Sequence, residues 1–225
     1  MLRHGDFSPD PPETQWLTET GPDRNMQVLK AFWFRDPAGR IWTTPANSKI
    51  DGASIPRALW TLVGSPYTGD YRRASIVHDK ACDDADCNAT ARRAADRMFY
   101  HACREGGCSI FEATLLYIGV RIGALTPHVA AWSTDTAAEI LGPRIARTYQ
   151  EERLETDFRA TADRVMRQGE TDDPDELEQR TDDALVAVTG LSAATLRFAS
   201  NKRTARGRNG TRGRRSKAQP SAKRR

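Results

Sequence analysis

The sequence predicts an α+β fold: an N-terminal β-hairpin or small antiparallel sheet packed on a mainly helical domain that holds an antiparallel helix pair, with a helical C-terminal extension and a disordered tail. Three observations carry this. A β-prone stretch over residues 27–44 is folded back on itself at Asp36-Pro-Ala-Gly39. Two apolar-striped helical runs flank the polar break Asp83-Asp-Ala-Asp-Cys-Asn88. From residue 200 onward the chain is an Arg/Lys/Gly/Ser mixture that cannot bury enough apolar surface to fold alone.

Taken in order, residues 1–26 hold Gly5, Pro9, Pro11, Pro12 and Gly21 in a polar context, the composition of an irregular arm. Val28, Ala31, Trp33 and Phe34 lead into Asp36-Pro-Ala-Gly39 and then Ile41-Trp-Thr-Thr44. Pro at the second turn position and Gly at the fourth fit a type I turn, hence a hairpin with Trp33 and Trp42 as packing residues. Ser54 and Pro56 are placed to open the apolar run Ala58-Leu-Trp-Thr-Leu-Val63 as a helix cap and first-turn proline. Gly64-Ser-Pro-Tyr-Thr-Gly69 then forms a loop that brings Asp51, Tyr67 and His78 into one neighbourhood.

The next helix is expected from about Tyr71 to Cys82, with Ala74, Val77, His78 and Ala81 on one face and Asp79 ~100° around from His78. Asn88 caps its successor, whose apolar side is Ala91, Ala94, Ala95, Met98, Phe99 and Ala102, with Asp96 beside it. Arg92, Arg93 and Arg97 read as a solvated face, with anion clamping as the alternative. Gly106-Gly107 ends this helix, Ser109 caps the next, and Pro127 is expected to stop it. Arg121 in that helix is a candidate partner for a buried carboxylate or a surface residue. The domain thus spans 27–130, and 131–199 reads as a charged accessory arm, with one helix from Leu177 to Phe198.

Charge divides the chain. The formal net charge is +4, yet residues 200–225 carry eleven Lys or Arg and no acid, so removing them leaves 23 basic against 30 acidic residues, a net −7 for 1–199. A basic tail implies polyanionic partners, nucleic acid or an anionic membrane surface. No apolar core follows Met1, and Leu115 to Leu125 is short and holds Arg121. The expectation is a cytoplasmic protein, with export lacking a cleaved signal left open. Oligomeric state is not legible.

The chemistry centres on His78, Asp79 and Asp96. His78 and Asp96 are equidistant from residue 87, so an antiparallel helix pair folded there brings them level. A histidine opposite a carboxylate, with a second carboxylate adjacent, suits activation of water or metal binding. The same pair serves equally to pin two helices. The four cysteines fall as Cys82-x4-Cys87 and Cys103-x4-Cys108, separated by a helix of about 24 Å, which disfavours a four-cysteine zinc site. Reduced thiols or local bridges are expected instead. An HD-type phosphohydrolase would need further ligands that His4 and His101 are not placed to give. A zinc hydrolase centre at His78 would have only Cys82 nearby.

The ordered motifs Asp51-Gly-Ala-Ser-Ile-Pro-Arg57, Ser65-Pro66, Val77-His-Asp79, Ala95-Asp-Arg97 with Phe99, and Tyr117-x-x-Val-Arg121 resemble the bacterial and phage family of domain of unknown function 1353. The histidine-aspartate helix followed by an aspartate-bearing helix is also similar to the helix pair of phospholipase A2. That resemblance implies His78 as the base that deprotonates water, Asp96 as the residue orienting it, and Asp79 as a calcium ligand assisted by Asp51. The function expected on this basis is ester hydrolysis of a lipid-like substrate. The alternative is a non-enzymatic phage- or prophage-associated interaction protein whose tail binds nucleic acid.

Overall fold

The computed structural model describes residues 4–8, 11–18, 25–65, 68–86, 88–141 and 143–198, without the side chains of 126–149 and 197–198. Tyr67, Cys87 and the tail over 200–225 lie outside the described residues. Two three-stranded antiparallel sheets open the chain. One orders β1 (Asp6–Ser8), β4 (Phe32–Arg35) and β5 (Ile41–Thr44); the other orders β2 (Thr14–Trp16), β3 (Met26–Val28) and β6 (Lys49–Ile50).

The β4–β5 hairpin forms as expected, with Phe34 opposite Trp42. Its turn is closed by Gly39 N–H to the Asp36 carbonyl at 2.9 Å, and the Asp36 carboxylate accepts from Ala38 N, Arg40 N and Trp42 Nε1. Gly39, at φ +85°, supplies the left-handed backbone that ends the turn. Phe32, Phe34 and Trp42 enter the core, whereas Trp33 is half-buried. The N-terminal arm differs from expectation: it contributes β1, whose partner residues lie 25–29 positions down the chain, and β2, whose partner residues lie 10–14 positions down. Such pairing leaves no local periodicity to read.

A 3-10 turn (Arg57–Leu59) leads into the single-turn α1 (Trp60–Val63), and Ser54 makes no capping bond to either. Helices α2 (Arg72–Ala85) and α3 (Ala89–Gly106) pack as the antiparallel pair, with Arg73 reaching the Gly106 carbonyl at 3.4 Å. Asp86 at φ +38° closes α2, the Asn88 side chain accepts from Ala91 N at 2.9 Å, and Gly107 closes α3. Ser109 and Glu112 form a reciprocal capping box at the start of α4 (Ile110–Leu141). Pro127 does not stop this helix. A proline there removes one intrahelical bond, to the Gly123 carbonyl, and the backbone continues past it.

Helices α5 (Pro143–Met166), α6 (Pro174–Thr189) and α7 (Ala193–Phe198) complete the fold. Phe158, Val165, Leu177 and Leu185 belong to the same core as Phe32, Phe99 and Ile118, so residues 150–196 pack on the domain rather than standing off it. Asp173 caps α6, and Gly190 at φ +71° separates α6 from α7, dividing the single helix expected from Leu177 to Phe198. Among the described residues, no helix is long and apolar enough to cross a membrane.

The segment 51–56 lies on α4 at two glycines one turn apart. A Cβ at Gly119 would meet the Ile55 side chain at 3.3 Å, and one at Gly123 would overlap the Ser54 carbonyl oxygen. Gly119 therefore has a flexible neighbour and Gly123 a rigid one. Gly123→Ala is expected to lower stability by about 1–3 kcal/mol and Gly119→Ala by less, as checked by urea denaturation; equal and negligible effects would show that the segment is not held there.

Candidate functional site

Residues 74–79 of α2 are buried without interruption, because α3 packs along the helix, β4, β5 and β6 cover another side, and the Asp51 amide reaches Asp79. His78 and Asp79 therefore both point into protein, although they project ~100° apart. His78, Asp79 and Asp96 each have no solvent exposure. The His78 Nε2 lies 2.8 Å from Asp96 Oδ1, the juxtaposition expected from their symmetric spacing about residue 87.

Asp96 is the hub. Its Oδ1 also accepts from Arg92 Nε at 3.0 Å, and its Oδ2 accepts from Arg121 Nη1 at 3.0 Å. Arg92 Nη2 continues to the Val120 carbonyl at 3.3 Å, and Arg121 Nη2 stands 3.6 Å from Asp182 Oδ1 on α6. Burial alone would raise the Asp96 carboxyl. The neighbouring Arg92, the hydrogen bond to His78 and Arg121 overcome that and hold it well below the usual carboxylate range. An ionised Asp96 fixes the Nε2 of His78 as a donor.

Arg121 thus takes the buried-carboxylate role. The reading of Arg92, Arg93 and Arg97 as a solvated face is corrected. Arg92 is buried on Asp96, while Arg93 pairs with Glu178 and Asp182, and Arg97 with Asp175 and Glu178, on α6. The i,i+4 spacing of Arg92 and Asp96 was the signal in the sequence that could have found the first of these. The α6 partners are some eighty residues away and left none.

Asp79 and Asp51 are also brought together, but through the backbone: Asp51 N–H donates to Asp79 Oδ2 at 2.8 Å. A calcium ion takes about six to eight oxygen ligands. Here the 51 segment turns an amide proton, not a carbonyl, towards a carboxylate with no exposure, and that donor set does not suit calcium.

The Cys82 thiol, one turn past His78, lies 3.4 Å from Nε2 and 3.8 Å from Nδ1. His78, Cys82 and Asp96 have ligand-type atoms within 4.8 Å of one another. Burial, reinforced by Asp96 and opposed by Arg92, pushes the Cys82 thiol up to about 12. The thiol thus keeps its proton in this environment, and Asp96 Oδ1 already has two donors. The three side chains form a polar contact between α2 and α3, and their atoms are also close enough together to share a metal ion. Cys82, Cys103 and Cys108 are free thiols, which leaves the local 103–108 bridge unformed; the 82–87 pairing involves a residue outside those described.

A family profile described as "Protein of unknown function (DUF1353)" matches residues 26–120, from β3 into α4, and so includes His78, Asp79, Cys82, Arg92 and Asp96. Two proteins of Sinorhizobium fredii are similar over this part of the chain. "Uncharacterized protein y4jT" is 33% identical over 118 residues, 52% of this chain and 33% of that protein. "Uncharacterized protein y4iH" is 35% identical over 117 residues, 49% of this chain and 48% of that protein. The chain therefore spans between a third and a half of these relatives. No solved structure matches. The likeness to phospholipase A2 finds no support in these comparisons.

Because the folded pKa of Asp96 lies below the unfolded value near 4, the unfolded chain takes up the proton first on acidification. The stability contributed by Asp96 is complete above about pH 4 and is lost as pH falls towards the folded value. Asp96→Asn is expected to cost about 3–5 kcal/mol at neutral pH, because two buried arginines lose their counter-charge, and to flatten the acid limb of the stability profile. Parallel urea titrations from pH 3 to 7 check both; an unchanged acid limb would exclude Asp96 as its source.

Proposed function

We propose that the His78–Asp96–arginine network is a structural pin, and that the chain acts as a binding protein whose basic segment, residues 200–225, takes nucleic acid. The observation that carries the first part is the absence of any exposure at His78, Asp79 and Asp96. A base must reach the proton it removes, directly or through one water. Here the pair has no solvent exposure, and the Asp96 carboxylate accepts from three protein donors. The second part rests on charge: eleven basic residues without an acid, joined to a body of net −7, form a polyanion-binding segment that the body itself cannot provide.

One specific observation favours a hydrolytic reading of the same residues. Asp96 holds the Nε2 of His78 as the donor, which leaves Nδ1 as the basic nitrogen of the ring, the arrangement used to activate water. For that chemistry the 51–56 segment would have to lift from α4 and admit water and a lipid-like ester, with the basic segment resting on anionic membrane.

His78→Ala separates the two. The pin reading expects a loss of about 3 kcal/mol in urea denaturation, with no ester or phospholipid hydrolysis in either protein. A folded His78→Ala of wild-type stability that loses a hydrolytic activity present in the wild type would establish the catalytic reading instead. Deleting 200–225 is expected to abolish binding to double-stranded DNA, and wild-type affinity is expected to fall steeply with salt. Salt-insensitive binding, or binding retained by the truncated chain, would contradict the assignment.

A further inference from the structure

A second histidine pair lies away from the His78 network, where the N-terminal segment crosses α3. His4, just ahead of β1, places its Nδ1 3.5 Å from the Nδ1 of His101 on α3, with ring centroids 5.8 Å apart and planes tilted by 43°. The other nitrogen of His4, Nε2, lies 3.2 Å from Asp172 Oδ2. Asp172 is itself fixed by Tyr100 Oη at 2.7 Å and Arg104 Nε at 2.8 Å. Both histidines line a cavity of about 540 Å³ together with Asp36, Trp42, Arg97 and Met98.

We propose that His4 and His101 form a binding site for a divalent late transition-metal ion such as zinc, held through their two Nδ1 atoms. Two nitrogens each about 2.0–2.1 Å from a tetrahedral zinc ion stand about 3.4 Å apart, so the present separation accepts the ion with little adjustment. The same distance is long for a direct N–H···N hydrogen bond. Asp172 accepts the remaining proton of His4, fixing its tautomer and turning the Nδ1 lone pair inward, the second-shell role carboxylates play at histidine-metal sites. Imidazole pairs with open positions suit zinc, copper or nickel rather than calcium or magnesium.

Two arginines line the same cavity: Arg97 is paired with Asp175 and Glu178, Arg40 stacks over the Trp42 ring, and Asp36 and Asp172 bring negative charge beside them. Two protein ligands leave coordination positions facing the cavity, open to water or a small donor ligand. His4 and Asp172 lie outside the stretch matched by the family profile, so the site is assembled from the domain and both of its flanks. It is independent of the pin and tail readings above.

The test is equilibrium dialysis of the untagged full-length chain against zinc chloride at neutral pH, with copper(II) electron paramagnetic resonance to count nitrogen ligands. Expected are one ion per chain, hyperfine structure from two imidazoles, at least a tenfold loss of affinity in His4→Ala and His101→Gln, and no change in Cys82→Ala. Asp172→Asn is expected to weaken binding by about 10–100-fold. Circular dichroism establishes that each variant is folded, and His4→Ala alone suffices if His101→Gln is not. Absence of zinc binding by the wild type, retention of wild-type affinity in His4→Ala, or loss of binding in Cys82→Ala would overturn the proposal.

Discussion

A carboxylate with no access to water must be neutralised by its neighbours, and in this protein that requirement falls on Asp96. Its partners come from three successive helices: His78 from α2, Arg92 from α3 itself, and Arg121 from α4. The His78 and Arg121 bonds join α3 to α2 and to α4, while Arg92, on the same helix as Asp96, reaches α4 through the Val120 carbonyl. The network then continues through Arg121 to Asp182 on α6, so one buried charge sets the relative placement of four helices. Ion pairs of this kind are weak evidence for high stability, since desolvation offsets much of the attraction. On the pin reading proposed above, what they confer is register: any slide of α2 along α3 separates His78 from Asp96 and leaves charges unpaired.

The second constraint is steric. Segment 51–56 fits over the network only because α4 presents glycine at 119 and 123, and it is tied from the opposite side by the Asp51 amide on Asp79. The motifs that look like a catalytic constellation in sequence are thereby drawn into one place, yet into the interior. The closure that makes the arrangement plausible as a pin is also what separates it from solvent. The proposals above therefore turn from this network to the basic sequence of residues 200–225 and to the cavity beside His4 and His101.

Those elements that rest on local chemistry were legible in the sequence. The Asp36-Pro-Ala-Gly39 turn, the Asn88 cap, the Ser109 cap and the Gly107 terminus each depend on residues within a few positions of one another, and each formed. The meeting of His78 with Asp96 was also legible, because a short break between two helices fixes their register. Elements that depend on distant partners were not. β1 and β2 are strands only because β4 and β3 accept them, and Arg93 and Arg97 look solvated until α6 arrives with Asp175, Glu178 and Asp182. Pro127 was read by its intrinsic preference, which the surrounding helix overrides. The sequence likewise gives residue types at the candidate site but not exposure, and exposure is what separates a base from a pin.

The central claim is that His78 is sealed. Its most direct measurement is histidine modification by diethyl pyrocarbonate, followed residue by residue with mass spectrometry on the native full-length chain and on the urea-unfolded chain. The account expects His78 to stay unmodified in the native protein while the unfolded chain reacts fully. Modification of native His78 at a rate near that of the unfolded chain would show an open site and contradict the account.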